Sequence, residues 1–167
     1  MINKKILESV SQTIISEFGN GIGLCFPIAV RAKQRLESYG IETTIIKGYA
    51  AFRCGFSQLA NISYIHSKDM PKGKEQIANS GDEGKFHFWL EDKDGMILDF
   101  TTYTLRAAIH SLDRLEGEKK LTGVTWKDKY LYTKKRDCSS LNAVLNSKTD
   151  RHYFYDPQQV WNILDEN

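Results

Sequence analysis

The sequence predicts an α+β domain in which helices pack on an antiparallel sheet. Three observations predict it. Ile2, Ile6, Leu7, Val10, Ile14, Ile15 and Phe18 recur at helical spacing and form one apolar stripe. Residues 41–52 are rich in β-branched and aromatic side chains, including Thr43, Thr44, Ile45, Ile46, Tyr49 and Phe52, as a strand requires. Two further apolar runs, 85–91 and 96–101, flank Asp94-Gly95, a dipeptide suited to a tight hairpin turn.

The elements follow in order. A first helix occupies residues 2–18 and ends at Gly19-Asn20-Gly21. A second runs over 25–39, with Ala29, Ala32 and Leu36 inward, and Gly40 stops it. The strand over 41–52 comes next. Residues 54–84 then form a polar, Gly-containing loop of a length that often marks a functional lid or a disordered excursion. After the hairpin, 105–115 reads as a helix, 121–132 as short strand-like pieces and 139–146 as another helix. Asp156-Pro157 reads as the cap and first residue of a last helix anchored by Val160, Trp161 and Leu164. Neither repeats nor linkers divide the chain. It is expected to be one domain over 1–167, with a core at about 19–102, an N-terminal helix over 2–18 and a C-terminal elaboration over 103–167.

Composition narrows the class. The chain has 167 residues, 41% hydrophobic and 26% charged, which suits one folded, soluble domain. No apolar run reaches the ~18 residues that would span a bilayer, so no membrane partner is expected. Lys4, Lys5, Glu8 and Glu17 interrupt the N-terminal stretch, unlike a secretory signal. Three cysteines are too few, and odd in number, for a disulfide scaffold; a reduced, cytoplasmic protein is expected. The net charge of +2 hides a basic segment over 119–136, with Lys119, Lys120, Lys127, Lys129, Lys134, Lys135 and Arg136 against Asp128. It could attract an acidic partner. No nucleic-acid motif accompanies it, and lysines also protect an exposed strand edge.

Cys25 carries the strongest chemical signal. The string Gly19-Asn-Gly-Ile-Gly-Leu-Cys25-Phe-Pro27 places the thiol at a helix start, because Pro27 is compatible only with a first turn. There the helix dipole and free N–H groups favour a thiolate and could hold an oxyanion. The alternative is a small buried hydrophobe. A thiol nucleophile needs a base and an orienting group. His87 stands in the strand Phe86-His87-Phe88-Trp89-Leu90, sharing a face with Trp89 and Glu91. With a turn centred on Asp94-Gly95, paired residues sum to about 189. Asp99 then faces Leu90, a diagonal step from His87 that a bulge would close. The alternative is a surface histidine with an unrelated turn aspartate.

In this order the residues resemble a known family. Gly-Leu-Cys25-Phe, a helix ending at Gly40, a strand ending Lys47-Gly48-Tyr49, His87-Phe-Trp-Leu-Glu91 and Gly95-Met-Ile-Leu-Asp99-Phe-Thr resemble the transglutaminase-like branch of the papain-like cysteine enzymes, an arrangement shared with arylamine N-acetyltransferases. The resemblance covers about 19–102. It implies a papain-like/transglutaminase-like core with a nucleophile-bearing helix packed on an antiparallel sheet. It implies a triad of Cys25 as nucleophile, His87 as general base and acid, and Asp99 as the carboxylate that sets the imidazole tautomer. Attack on an acyl carbon would give a thioester, and transfer to water would hydrolyse a peptide, protein or small amide substrate; transfer to an amine is the variant. Asn20 could add an oxyanion donor, although it is equally explained as a turn residue. Trp89, otherwise core material, could shield the site from water.

No cofactor is expected. Neither an alternating-acid calcium loop nor a CxxC pair occurs, so neither calcium nor structural zinc is indicated. Cys54 and Cys138 are expected to pack as small side chains. Two rival readings are a binding protein using the basic 119–136 segment, and a metal site built from Cys25, His87 and Asp99.

Overall fold

Strand β1 (Thr43–Arg53) organises the molecule because three strands pair with it. The computed structural model describes residues 1–56, 60–65, 69, 86–115 (backbone only for 112–115), 123–147 and 151–162. Strand β6 (Tyr153–Trp161) runs along one edge of β1, pairing with Ile45 to Phe52. The opposite edge is shared. Strand β3 (His87–Asp92) pairs with Thr43 to Gly48, and strand β2 (Asn61–Tyr64) with Ala50 to Arg53. The chain therefore leaves this edge after Tyr64 and rejoins it in line at His87. Strand β4 (Ile97–Asp99) pairs with β3, and β5 (Leu131–Thr133) with β4. Every pairing is antiparallel.

Helix α1 (Lys4–Phe18) begins at Asn3, whose side chain accepts from the Lys5 N–H at 2.8 Å, and ends at Gly19. Its stripe buries Leu7, Val10 and Ile14. Helix α2 (Cys25–Ser38) buries Ile28, Ala29, Ala32 and Leu36. The two cover one sheet face over Ile45, Leu90, Leu98 and Phe100. Helix α4 (Leu141–Asn146) covers the region of Ala51 through Val144 and Leu145. The other face carries Ile46, Ala50, Phe52, Trp89 and Ile97, packed against Leu105 and Ile109 of helix α3 (Leu105–Leu115) and against Trp126. None of the described helices is long and apolar enough to cross a membrane.

The structure departs from the sequence expectations in four places. Residues 153–161 form a strand, not the C-terminal helix expected from Asp156-Pro157; Leu164 lies outside the described residues. Pairing along eight β1 residues outweighs the local capping signal, and Pro157 is tolerated beside a register irregularity on an edge strand. Residues 61–64, expected to be loop, form β2. Of the strand pieces expected over 121–132, the described residues show Leu131–Thr133 and an isolated bridge between Gly55 and Val124. The C-terminal segment also supplies two strands of the main sheet, β5 and β6.

The fourth departure matters most. The hairpin has a three-residue loop, with the Asp92 N–H donating to the Met96 carbonyl at 3.1 Å and Gly95 at φ +76°. The Asp92 carboxylate also accepts from the Asp94 and Met96 amides. Leu90 consequently pairs with Leu98 and Glu91 with Ile97, one residue away from the expected register. A one-residue shift exchanges the faces of a strand. It puts Asp99 on the face of His87 and Trp89 without any bulge.

At Gly48 the backbone of β1 lies close against β6 and Trp89. A Cβ there would fall on the Asp156 carbonyl oxygen and the Trp89 indole. Gly48→Ala is expected to destabilise the fold by about 1–3 kcal/mol. Urea denaturation reads this directly, and an unchanged midpoint would show that β6 can move aside at no cost.

Candidate active site

Cys25 is the first residue of α2, half-exposed and free of any disulfide. The approach to it is a tight loop in which Gly21 N–H donates to Phe18 O and Leu24 N–H to Gly21 O, both at 3.1 Å. Gly21 has φ +59°, and a side chain there would strike the Tyr103 hydroxyl. Leu24 provides no side-chain cap to α2, so the helix start keeps N–H groups without intrahelical partners. Asn20 stands exposed in the turn after α1. Among the described residues it makes no hydrogen bond to Cys25 or His87.

His87 is the first residue of β3, opposite Gly48, and is fully buried. Its Nε2 lies 2.7 Å from Asp99 Oδ2, and Asp99 is equally buried. The carboxylate is saturated with donors. The Tyr155 hydroxyl donates to Oδ2 at 2.7 Å, while the Thr101 amide and hydroxyl donate to Oδ1 at 2.9 and 2.5 Å. An acceptor on Nε2 places the neutral ring's proton there and leaves the Nδ1 lone pair bare. Nδ1 has no hydrogen-bond partner among the described residues. The Thr101 hydroxyl also lies 3.3 Å from Nε2, and Cys25 acts on the ring electrostatically, raising the His87 pKa.

Aromatic rings enclose the imidazole. Tyr64, the last residue of β2, stacks on it at 4.6 Å between centroids, and Trp89 at 6.0 Å. Phe52 and Tyr155 lie at 5.7 and 6.4 Å. The seam between β2 and β3 on the β1 edge is thus closed by a stacked Tyr64–His87 pair. Cys25 bears electrostatically on both rings there. Trp89 is 1% exposed, so it shields the ring as part of the core.

The electrostatics follow from this packing. Burial works against a charged imidazole, yet the Asp99 charge and hydrogen bond, with Cys25 adding to the effect, hold the His87 pKa above its ordinary value. Burial likewise opposes the Asp99 carboxylate, but the His87 charge and the His87 and Thr101 hydrogen bonds hold its pKa below the usual range. Burial raises the Tyr155 hydroxyl well above its ordinary value, with Asp99 adding to the effect, so Tyr155 stays a donor. The arrangement can take a proton from the thiol at Nδ1 and stabilise the resulting imidazolium against Asp99.

The other cysteines, two other histidines and the basic segment fall elsewhere. Cys54 is fully buried, and burial pushes its thiol up; burial, with Asp137, raises Cys138 to about 11. His152 Nδ1 is 3.0 Å from the Ser139 hydroxyl, and His66 lies outside the described residues. In the basic segment Lys135 pairs with Glu91 at 3.1 Å, while Lys119 and Lys120 lie outside the described residues. Among the described residues no three histidines, cysteines or carboxylates are grouped to hold a metal ion. Sequence reasoning passed over Tyr64, Thr101 and Tyr155. Thr101, two residues past Asp99, had a local signal. Tyr155 had none while its segment read as the approach to a helix.

No family model matches the chain, and no curated protein matches it. A solved crystal structure described only as a genomics target is similar in fold, with a TM-score of 0.51 over 94% of this chain at 16% identity. The chain spans 66% of that neighbour's length. At this identity the likeness shows the fold alone.

The pair makes stability depend on pH with a definite sign. A raised His87 pKa stabilises fully below the ordinary 6.5 and is lost as pH rises through the folded value; a lowered Asp99 pKa stabilises above 3.8 and is lost as pH falls through the folded value. Asp99→Asn is expected to cost about 3–5 kcal/mol, most between about pH 4 and 6.5. Urea denaturation across pH checks this, and a cost independent of pH would contradict the charge pairing. Tyr155→Phe should cost less, about 1.5–3 kcal/mol.

Proposed function

We propose that this chain is a thiol-dependent acyl-transfer enzyme with a papain-like, transglutaminase-like core. It uses Cys25 as nucleophile, His87 as general base and acid, and Asp99 as the orienting carboxylate. One observation carries the reading: the buried His87 ring is held at Nε2 by Asp99, its Nδ1 has no hydrogen-bond partner among the described residues, and Cys25 at the start of α2 acts on the ring electrostatically. The α+β frame supports it, since a helix start bearing a cysteine packs against an antiparallel sheet whose adjacent strands bear the histidine and the aspartate.

The reaction proceeds in two halves. Nδ1 takes the Cys25 proton as the sulfur attacks the carbonyl carbon of a peptide, protein or small amide. The oxyanion is met by the unpaired N–H groups at the α2 start, the Cys25 amide among them. The imidazolium, held against Asp99, returns the proton to the departing amine as the C–N bond breaks and a thioester forms. Water then gives a proton to Nδ1 while its oxygen attacks the thioester, and His87 returns that proton to the sulfur as the acid is released. Asp99 stays ionised throughout and keeps Nδ1 aimed at the sulfur.

Incubation with 4-nitrophenyl acetate should place one acetyl group on Cys25, seen by peptide mass spectrometry, followed by slow turnover. Cys25→Ala should abolish the adduct with the far-UV spectrum unchanged. His87→Ala should slow acylation by about 10²–10⁴-fold. Acylation spread over Cys54 and Cys138, or absent altogether, would falsify the assignment.

A further inference from the structure

The molecule holds a charged aromatic ledge, built on the chain neighbours of Cys25 and His87, that the chemistry above does not use. Lys47 lies on β1 next to Gly48, the residue opposite His87. Its Nζ rests 4.5 Å from the centroid of the Phe86 ring and 4.7 Å from that of the Trp161 ring. Phe86 immediately precedes His87. On the other side Phe26, which immediately follows Cys25, packs edge-on against Phe88 at 4.9 Å and Trp161 at 6.5 Å. Phe86 also stacks on Tyr49 at 5.4 Å. The aromatic frame is thus joined covalently to both the cysteine and the histidine, and all its members are half-buried.

We propose that this ledge binds the acyl portion of the substrate, and that this portion carries an aromatic or apolar body ending in a carboxylate that Lys47 receives. The inference rests on the acyl-transfer reading and adds the substrate class. Two ring faces hold the ammonium by cation–π attraction and restrict its motion. Ring faces leave its three N–H donors short of good acceptors. None of the described ion pairs gives Lys47 a carboxylate of its own. A cation held on ring faces, without a carboxylate partner among the described ion pairs and beside half-buried aromatic surface, is complementary to an aromatic or apolar acid, and prior fixation lowers the ordering cost of binding it. The bland account, a lysine stem covering rings, predicts no preference for charge in what reaches Cys25.

Two alkylating probes of equal length decide between these accounts. 4-(Iodoacetamido)benzoate carries the carboxylate, and 4-(iodoacetamido)benzamide is its neutral twin. In each case sulfur displaces iodide from the CH₂ carbon. Rate constants for Cys25 are read by peptide mass spectrometry on the full chain. The benzoate should react faster than the benzamide by about tenfold. Lys47→Met, which keeps the stem on the rings, should bring that ratio close to its value at Cys138, whose basic neighbours report any non-specific attraction. Lys47→Arg should retain it. Equal rates in the wild type, or a ratio unmoved by Lys47→Met, would overturn the inference and leave the acyl-transfer reading standing. Cys25 reacting no faster than Cys138 with either probe would overturn both.

Discussion

A buried imidazole can carry charge only where a carboxylate is held against it, and much of this sheet serves to hold one. Neither His87 nor Asp99 reaches solvent, so each alone would bear a desolvation cost of several kcal/mol. Four donor atoms surround the carboxylate: His87 Nε2 and the Tyr155 hydroxyl on one oxygen, the Thr101 amide and hydroxyl on the other. These donors come from β3, from the turn after β4 and from β6. Tyr155 lies 56 residues beyond Asp99 in sequence. The pair's charge therefore depends on long-range register, and β6 matters as much as the hairpin that carries the two groups.

The same register bears on how a thiol on one face of a sheet can act on an imidazole that belongs to the other. Helix α2 packs over Ile45, Leu90 and Leu98, while His87, Trp89 and Asp99 side with Ile46, Phe52 and Ile97. An unbroken strand along β1 would separate them. The chain instead leaves that edge at Tyr64 and returns at His87, so Tyr49 has no partner there. At such a seam a helix start can bring its first side chain to the end of the strand. Tyr64 and His87 close the remaining space by stacking, a non-polar contact that seals the ring without consuming either of its nitrogens.

Much of this was legible in the sequence, and what was missed has physical reasons. Helical periodicity marked α1 and α2, β-branched content marked β1, and the Gly-rich string before Cys25-Phe-Pro27 marked the helix start. These signals are local, and each element obeys its own. Asp156-Pro157 is a sound local helix signal overruled by backbone pairing with β1 eight residues long, which no window of sequence contains. The hairpin register failed by one residue because Asp92 accepts two amides and lengthens the loop. His87 and Asp99 were nevertheless found, because a strand's period of two and a short turn confine them to neighbouring positions. Tyr155 was out of reach, since nothing local to residues 153–155 reveals that its hydroxyl lands on Asp99.

The start of α2 shows local stability and proposed chemistry pulling in opposite directions. A helix is best begun by Ser, Thr, Asp or Asn, whose side chain accepts from the second or third N–H, for about 1 kcal/mol. Here the capping position is Leu24, with no side-chain bond. Pro27 removes the third N–H outright, and the Ile28 N–H is already bonded to Leu24 O at 3.0 Å. The donors left are the amides of Cys25 and Phe26, the two that the proposed oxyanion would need. An aspartate at position 24 would satisfy the Phe26 amide, but it would set a negative charge beside the sulfur and fill the place of the substrate oxygen. The helix can forgo that cap because Ile28, Ala29, Ala32 and Leu36 anchor it in the core. On this reading an apolar residue in the capping position is a requirement of the site, because the helix's first free amides must remain unoccupied until substrate arrives.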